Sequence, residues 1–229
     1  MMGKGAEELI LTLHGLGEPH PLVGTEETRY WWDVASFVRV LDQILQRPGD
    51  ADPRILITFD DGNASDALFA LPELARRRLK ATFFICAGRI GKMYYLDEFM
   101  IKDLLDSGMT IGSHGMSHKN WRSLDSAGLD TEISEARKIL EDVTQRRVNK
   151  VSIPFGAYDR RVLNRLAREG FDCIYTSDGG TARVNAKMKP RETLKADKLG
   201  GDLLRELLTP RPMHIRMTRA LVYFYKGLR

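Results

Sequence analysis

Nowhere does this chain of 229 residues string together eighteen consecutive apolar residues, so it offers no membrane-spanning helix. It has only two cysteines, Cys86 and Cys173, each inside an apolar, strand-like run. They read as small core residues of a protein in a reducing compartment, not as a disulfide. The apolar run ahead of His14 is Leu9–Leu13, too short for the core of an export signal, and no cleavage site follows it. The expected location is therefore the cytoplasm or its membrane face. No Pro-, Gly- or Ser-rich linker, internal repeat or low-complexity tract divides the chain, which predicts one domain over residues 1–229. No basic-aromatic recognition motif is present, and nucleic acid is excluded as a partner.

Charge is nearly balanced, at a formal +4, but unevenly placed. From Pro210 onward Arg211, Arg216, Arg219, Lys226 and Arg229 face no acidic residue, and the remainder is about neutral. The region from about residue 199 reads as a basic helical tail. It is either a solvated helix end or a peripheral contact for anionic lipid headgroups.

Apolar runs and helical patterns alternate along the whole length, the mark of βα units around a mostly parallel sheet or barrel. Strands are predicted at Leu9–Leu13, Ile55–Phe59, Ala81–Cys86, Met109–Gly112, Val151–Ile153, Cys173–Thr176 and Glu192–Lys195. Seven strands in a distorted (β/α) barrel follow. His14, Asp60, Asp61, His114, His118, Pro154 and Asp178 all stand just past strand ends. In a barrel of βα units those ends converge on one face, where catalytic groups gather.

Two adjacent carboxylates at the mouth of a buried strand repel each other and lose hydration, and need a cation or a proton nearby. His114 and His118, three residues apart in a Gly/Ser turn, can present two imidazoles to one point. With Asp61 they form a set of two nitrogens and one oxygen that leaves positions open for water and substrate. Zinc suits such ligands best; cobalt, manganese, nickel or iron can substitute. Asp60 is then the candidate general base.

Thr58-Phe59-Asp60-Asp61-Gly62 and His114-Gly115-Met116-Ser117-His118 resemble the first two motifs of the polysaccharide deacetylases, the NodB-homology group of carbohydrate esterases. Ala81-Thr82-Phe83-Phe84 resembles that family's third strand. The resemblance runs from about Leu9 to Leu194. It implies a metal held by Asp61, His114 and His118, and Asp60 as the base that deprotonates the water attacking an N-acetyl carbonyl. It also implies an oxyanion contact from the backbone N–H of Phe155, and substrate contacts from Pro154, Phe155 and Asp178. The expected substrate is an N-acetylated sugar or glycan precursor.

The later motifs depart from the family. Ser152 stands where an arginine orients the base, the aromatic after Asp178 is missing, and the general-acid histidine has no match. His14 is a candidate proton donor, or equally a polar residue bridging loops. His214, in the tail, reads as a surface residue. Arg191 is a candidate replacement for the missing arginine, because it leads into the final strand. Three alternatives stay open at this stage: a glycan-binding relative without activity, an amidohydrolase for a cyclic amide or ureide, and a non-haem iron oxygenase. Of the loop aromatics Tyr30, Trp31, Trp32, Tyr94 and Tyr95, the two tryptophans read as loop anchors, with Tyr94 and Tyr95 unassigned.

Overall fold

The structure, a computed structural model, describes residues 6–48, 53–196, 203–209 and 226. Each predicted apolar run becomes a strand. They are β1 (Glu7–Leu13), β4 (Arg54–Phe59), β5 (Ala81–Ile85), β6 (Thr110–Ser113), β7 (Lys150–Ser152), β8 (Cys173–Thr176) and β11 (Glu192–Thr193). Short strands β2 (Gly15–Leu16), β3 (Trp31–Trp32), β9 (Thr181–Arg183) and β10 (Met188–Pro190) add to these. The main sheet runs β10-β8-β7-β6-β5-β4-β1-β11, with β9 antiparallel against β1 and the others parallel.

The two ends of that order are consecutive in sequence. β10 pairs with β8, β11 pairs with β1, and Arg191 is the single residue between them. Its N–H donates to Thr176 O at 3.0 Å, extending the pairing with β8, and the Leu194 N–H donates to Thr12 O at 2.9 Å. One extended stretch, 188–193, thus bridges both edges of the sheet. That is the closure of a distorted (β/α) barrel, and it explains how seven predicted strands become eight segments.

Side chains alternate across each strand. Leu9, Leu11 and Leu13 of β1, and Ile57 and Phe59 of β4, face outward into a core shared with the helices. Those helices are α1 (Val34–Leu45), α2 (Leu71–Arg76), α3 (Glu98–Asp106), the run of α4 (Ser126–Asp130), a π-turn (Thr131–Glu135) and α5 (Ala136–Thr144), then α6 (Arg160–Glu169) and α7 (Leu203–Leu208). Pro72 sits in the first turn of α2, which continues directly from a π-turn at Asp66–Ala70. A second outer core packs α6 and Leu129 against Val151 and Ile174.

Inside the barrel the opposite set of side chains stacks in layers. Glu8 pairs with Lys189 near the bottom, and Ile10, Phe84 and Tyr175 pack above it. Thr12 and Thr58 bond to each other at 3.1 Å one step higher. Continuing the same alternation by two residues brings His14, Asp60 and His114 to the upper rim. Cys86 and Cys173 are free thiols, as expected, with Cys86 fully buried. α7 lies within the region expected to be a basic helical tail; of the five basic residues from Pro210 onward only Lys226 falls among the described residues, and His214 lies outside them.

Candidate active site

Three strand ends deliver the central groups. After β4 the chain turns sharply, with Asp61 at φ 78° and Gly62 at φ 73°. A Cβ at Gly62 would lie 2.9 Å from the Ile85 side chain, so glycine is required there both for its φ and for space. Left-handed backbone at a non-glycine residue costs energy and concentrates at functional sites. Six such residues occur among those described, and three of them, Asp61 (φ 78°), His118 (φ 57°) and Phe155 (φ 58°), line one cavity.

Asp61, His114 and His118 present one carboxylate oxygen and two ring nitrogens, all within 4.8 Å of one another. Asp61 Oδ1 is 3.4 Å from His118 Nε2 and 3.9 Å from His114 Nε2. That oxygen is buried and accepts no hydrogen bond among the described residues. A buried carboxylate oxygen left in this way is costly unless a cation completes it. His114 Nδ1 lies 2.8 Å from the Ser152 carbonyl oxygen, to which it can only donate. The lone pair of Nε2 therefore faces the two aspartates, the tautomer a metal ligand needs. Burial pushes the His114 imidazole down to about 4, so it stays neutral near pH 7. The donor set fits a divalent ion.

Asp60 is held from beneath. Arg191 donates through Nη1 to Oδ1 at 2.7 Å and through Nη2 to Oδ2 at 2.6 Å. Ser152 Oγ bridges the pair, accepting from Arg191 Nη2 at 2.6 Å and lying 3.2 Å from Asp60 Oδ2. Burial alone would raise the Asp60 carboxyl, but the Arg191 guanidinium, His114 and the hydrogen bond from Arg191 outweigh it, and Asp60 stays ionised well below the usual carboxylate range. Burial opposes ionisation of Asp61 too, and His118, His14 and His114 offset it.

The His114–His118 loop owes its shape to Glu132, a residue the sequence reading did not single out. Glu132 is 1 % exposed in the π-turn before α5. Its carboxylate accepts from Met116 N at 3.0 Å, Ser117 N at 3.2 Å, Ser117 Oγ at 2.5 Å and Trp121 Nε1 at 3.3 Å. No local pattern marks it, because its partners lie eleven to sixteen residues away.

A cavity of about 570 Å³ opens above these groups. Its wall includes His14, Tyr30, Trp31, Arg89, Tyr95, Phe155 and Lys195. The His14 ring lies 5.0 Å from the Tyr30 ring, and its Nδ1 has no hydrogen-bond partner among the described residues. Phe155 is exposed, with its ring 4.4 Å from that of His118. Trp32 is fully buried and anchors its loop as expected, whereas Trp31 reaches the cavity wall. His20, also missed in the sequence, fastens the long loop: it stacks on Tyr94 at 4.9 Å, and its Nε2 lies 3.2 Å from Asn63 Oδ1.

Two expected substrate contacts are placed elsewhere. Pro154 is buried, and neither it nor Asp178 lines the cavity. Asp178 accepts from Tyr158 Oη at 2.9 Å and Lys226 Nζ at 2.6 Å. Its oxygens are spent on Tyr158 and Lys226.

The pattern of the family described as polysaccharide deacetylase matches residues 47–174, more than half of the chain. The chain belongs to the polysaccharide deacetylase family. Among the family's curated members, it is 27 % identical over 166 residues to the peptidoglycan-N-acetylglucosamine deacetylase PgdA of Listeria monocytogenes, covering 69 % of this chain and 34 % of PgdA. It is 26 % identical over 130 residues to the chitooligosaccharide deacetylase of Rhizobium leguminosarum bv. trifolii, covering 56 % of this chain and 59 % of that one. The matched part is thus less than two thirds of either relative. The deacetylase PplD of Streptococcus pyogenes shares the fold at a TM-score of 0.75 and 19 % identity, over 90 % of this chain and 100 % of PplD. The family acts on acetylated glycans, as the names of these relatives state. Among the described residues no helix is long and apolar enough to cross a membrane.

Proposed function

We propose that the protein removes an N-acetyl group from an amino sugar of a glycan or glycan precursor, in a metal-dependent hydrolysis. The observation that carries this reading is the placement of one ionised, arginine-held carboxylate, Asp60, beside the donor set of Asp61, His114 and His118 on the floor of a sugar-sized cavity. Cavities of this size hold small ligands.

Asp61, His114 and His118 would hold one divalent ion, with zinc the best match to two imidazoles and a carboxylate. Such an ion supplies Lewis acidity, polarising the acyl carbonyl and making water a better nucleophile near neutral pH. Asp60 takes the proton of the attacking water. Its bidentate clamp keeps the oxygens in place and the carboxylate charged before the water arrives. The N–H of Phe155 donates to the oxyanion that develops on the acyl oxygen. His14 reaches the cavity from the next strand and gives a proton to the departing amine. The sugar plane meets Tyr30, Trp31 and Tyr95, aromatic surfaces suited to its apolar faces.

Acetate release from a panel of free, nucleotide-linked and lipid-linked N-acetyl sugars tests the reaction. Asp60→Asn keeps the shape but cannot accept the proton, so turnover drops about 10²–10⁴-fold while bound metal is unchanged. His118→Ala loses bound metal in elemental analysis. Undiminished turnover in Asp60→Asn would remove Asp60 from the chemistry, and equal metal content in His118→Ala would dissolve the triad.

A further inference from the structure

Three cations on the cavity wall, Arg29, Arg89 and Lys195, take no part in the hydrolysis, and Arg89 and Lys195 are the two of them less exposed to solvent. Arg89 follows β5, in a segment tied to the histidine loop by Ala87 N–H donating to Gly115 O at 2.9 Å and Gly88 N–H donating to Met116 O at 2.8 Å. A Cβ at Gly88 would lie 2.8 Å from that Met116 oxygen, so only glycine permits so close an approach. Arg89 is thereby set at a fixed distance from the donor triad. Its guanidinium packs on the Tyr95 ring at 4.9 Å, and one nitrogen lies 3.3 Å from Asp61 Oδ1. Among the described residues its one ion pair is this contact with Asp61, although arginine has five N–H donors.

Lys195 stands on the wall beyond β11, separated from Arg89 around the rim by the ends of β1 and β4. Its ammonium lies 5.7 Å from the Tyr30 ring and pairs with no carboxylate among the described residues. Lys195 cannot serve to position Asp61, so support of the triad does not account for both cations. Of the acids on the wall, Asp61 faces Arg89 but belongs to the donor triad, Glu26 and Glu27 sit exposed on the outer loop, and Asp60 is already neutralised by Arg191. A neutral sugar gives such cations nothing to bind. Cations that are partly withdrawn from water and held on aromatic faces are suited to an oxyanion brought by the ligand.

We propose that Arg89 and Lys195 form an anion subsite, and that the glycan bound here carries a phosphate or a carboxylate on the N-acylated sugar or on its neighbour. The inference rests on the deacetylase reading only for which bond is cut; the subsite itself is read by binding. The probes are N-acetylglucosamine, N-acetylglucosamine 1-phosphate and an N-acetylglucosaminyl-glucuronic acid disaccharide, titrated into the metal-loaded protein by calorimetry. At least one charged probe binds tenfold or more tightly than the neutral sugar, and the preference shrinks as salt is raised. Preference for the phosphate or for the uronic acid identifies the source of the anion. In Arg89→Gln and in Lys195→Gln the ratio of charged to neutral affinity falls severalfold, and in Arg89→Lys part of it survives because the charge is kept. Equal binding of all three probes, no binding of either charged probe, or an unchanged ratio in both glutamine variants overturns the subsite. Acetate release without charge preference would sink this inference and leave the hydrolysis standing. An Arg89-dependent preference with no acetate from any probe would do the reverse.

Discussion

Arg191 is 1 % exposed, among the largest side chains so deeply buried, and the carboxylate it meets is that of Asp60. Its plane is sandwiched near Phe84 and Tyr175, at 5.2 and 5.9 Å, and it also donates to Thr58 Oγ1 at 3.2 Å. A buried guanidinium is tolerable only with a partner that matches its fork. Ser152 is small enough to leave that volume free, and its hydroxyl links acid and base. Lysine offers one point charge in place of two parallel donors. Arg191→Lys should therefore lower turnover by about tenfold or more, in line with the loss of a charged hydrogen bond, with metal content preserved. The carboxylate loses part of what holds it ionised, so the acid limb of the pH–rate profile moves to higher pH. In an Arg191→Ala background, Ser152→Arg should recover part of the loss by restoring the charge from the neighbouring strand. Full activity of Arg191→Ala on the true substrate would show that Asp60 is oriented by other means.

The elements around the site gain their precision from polar groups that bind loops to helices. The clearest is the π-turn carrying Glu132, inserted between α4 and α5. A π-turn shifts the helix register by one residue and often marks a functional position. Here it places a carboxylate under the His114–His118 loop, where three N–H groups and a hydroxyl converge on it. Glutamine keeps the volume but turns half of that acceptor into a donor facing other donors. Glu132→Gln is expected to weaken metal affinity by about 10–100-fold, the usual cost of disturbing groups behind the ligands. Thermal stability should fall as well, since buried donors are left unmatched at roughly 1–3 kcal/mol each. Metal titration followed by melting curves separates the two losses. Unaltered affinity would mean that the loop holds its shape without Glu132.

For the molecule as a whole, the site makes stability depend on pH. His114 titrates at about 4 in the folded protein because burial disfavours its charged form. In the unfolded chain an imidazole titrates near 6.5. Between those values the unfolded state binds the extra proton, so stability is fully present above about pH 6.5 and is lost as pH falls toward 4. The loss is on the order of 3 kcal/mol. A metal ion held by His114, as proposed, would pull the same way, because protons compete for the same ring. Asp66 acts with the opposite sign: burial, with Asp61 and Asp60 nearby, pushes its carboxyl well up, which favours the fold as pH falls. Chelator-treated His114→Gln should melt with a flatter slope between pH 4 and 6.5 than the chelator-treated parent. An identical slope would assign the acid sensitivity to other groups.

Much of this molecule was readable along the chain. Seven apolar runs indicated the strands, and the convergence of strand ends in a barrel of βα units put His14, Asp60 and His114 on one face. Asp-Asp-Gly and the paired histidines carried the metal set, because their chemistry is local to two turns. Arg191 was a candidate from its place before the last strand. What only the tertiary structure decided is whatever depends on contacts between distant segments. The bidentate grip of Arg191 on Asp60 spans 131 residues and exists because the stretch 188–193 closes the barrel across both sheet edges. The roles of Glu132 and His20, the withdrawal of Asp178 from the cavity, and the placement of Arg89 and Lys195 on its wall likewise come from packing. Periodicity records which face a side chain takes; it holds no record of which distant side chain shares that face.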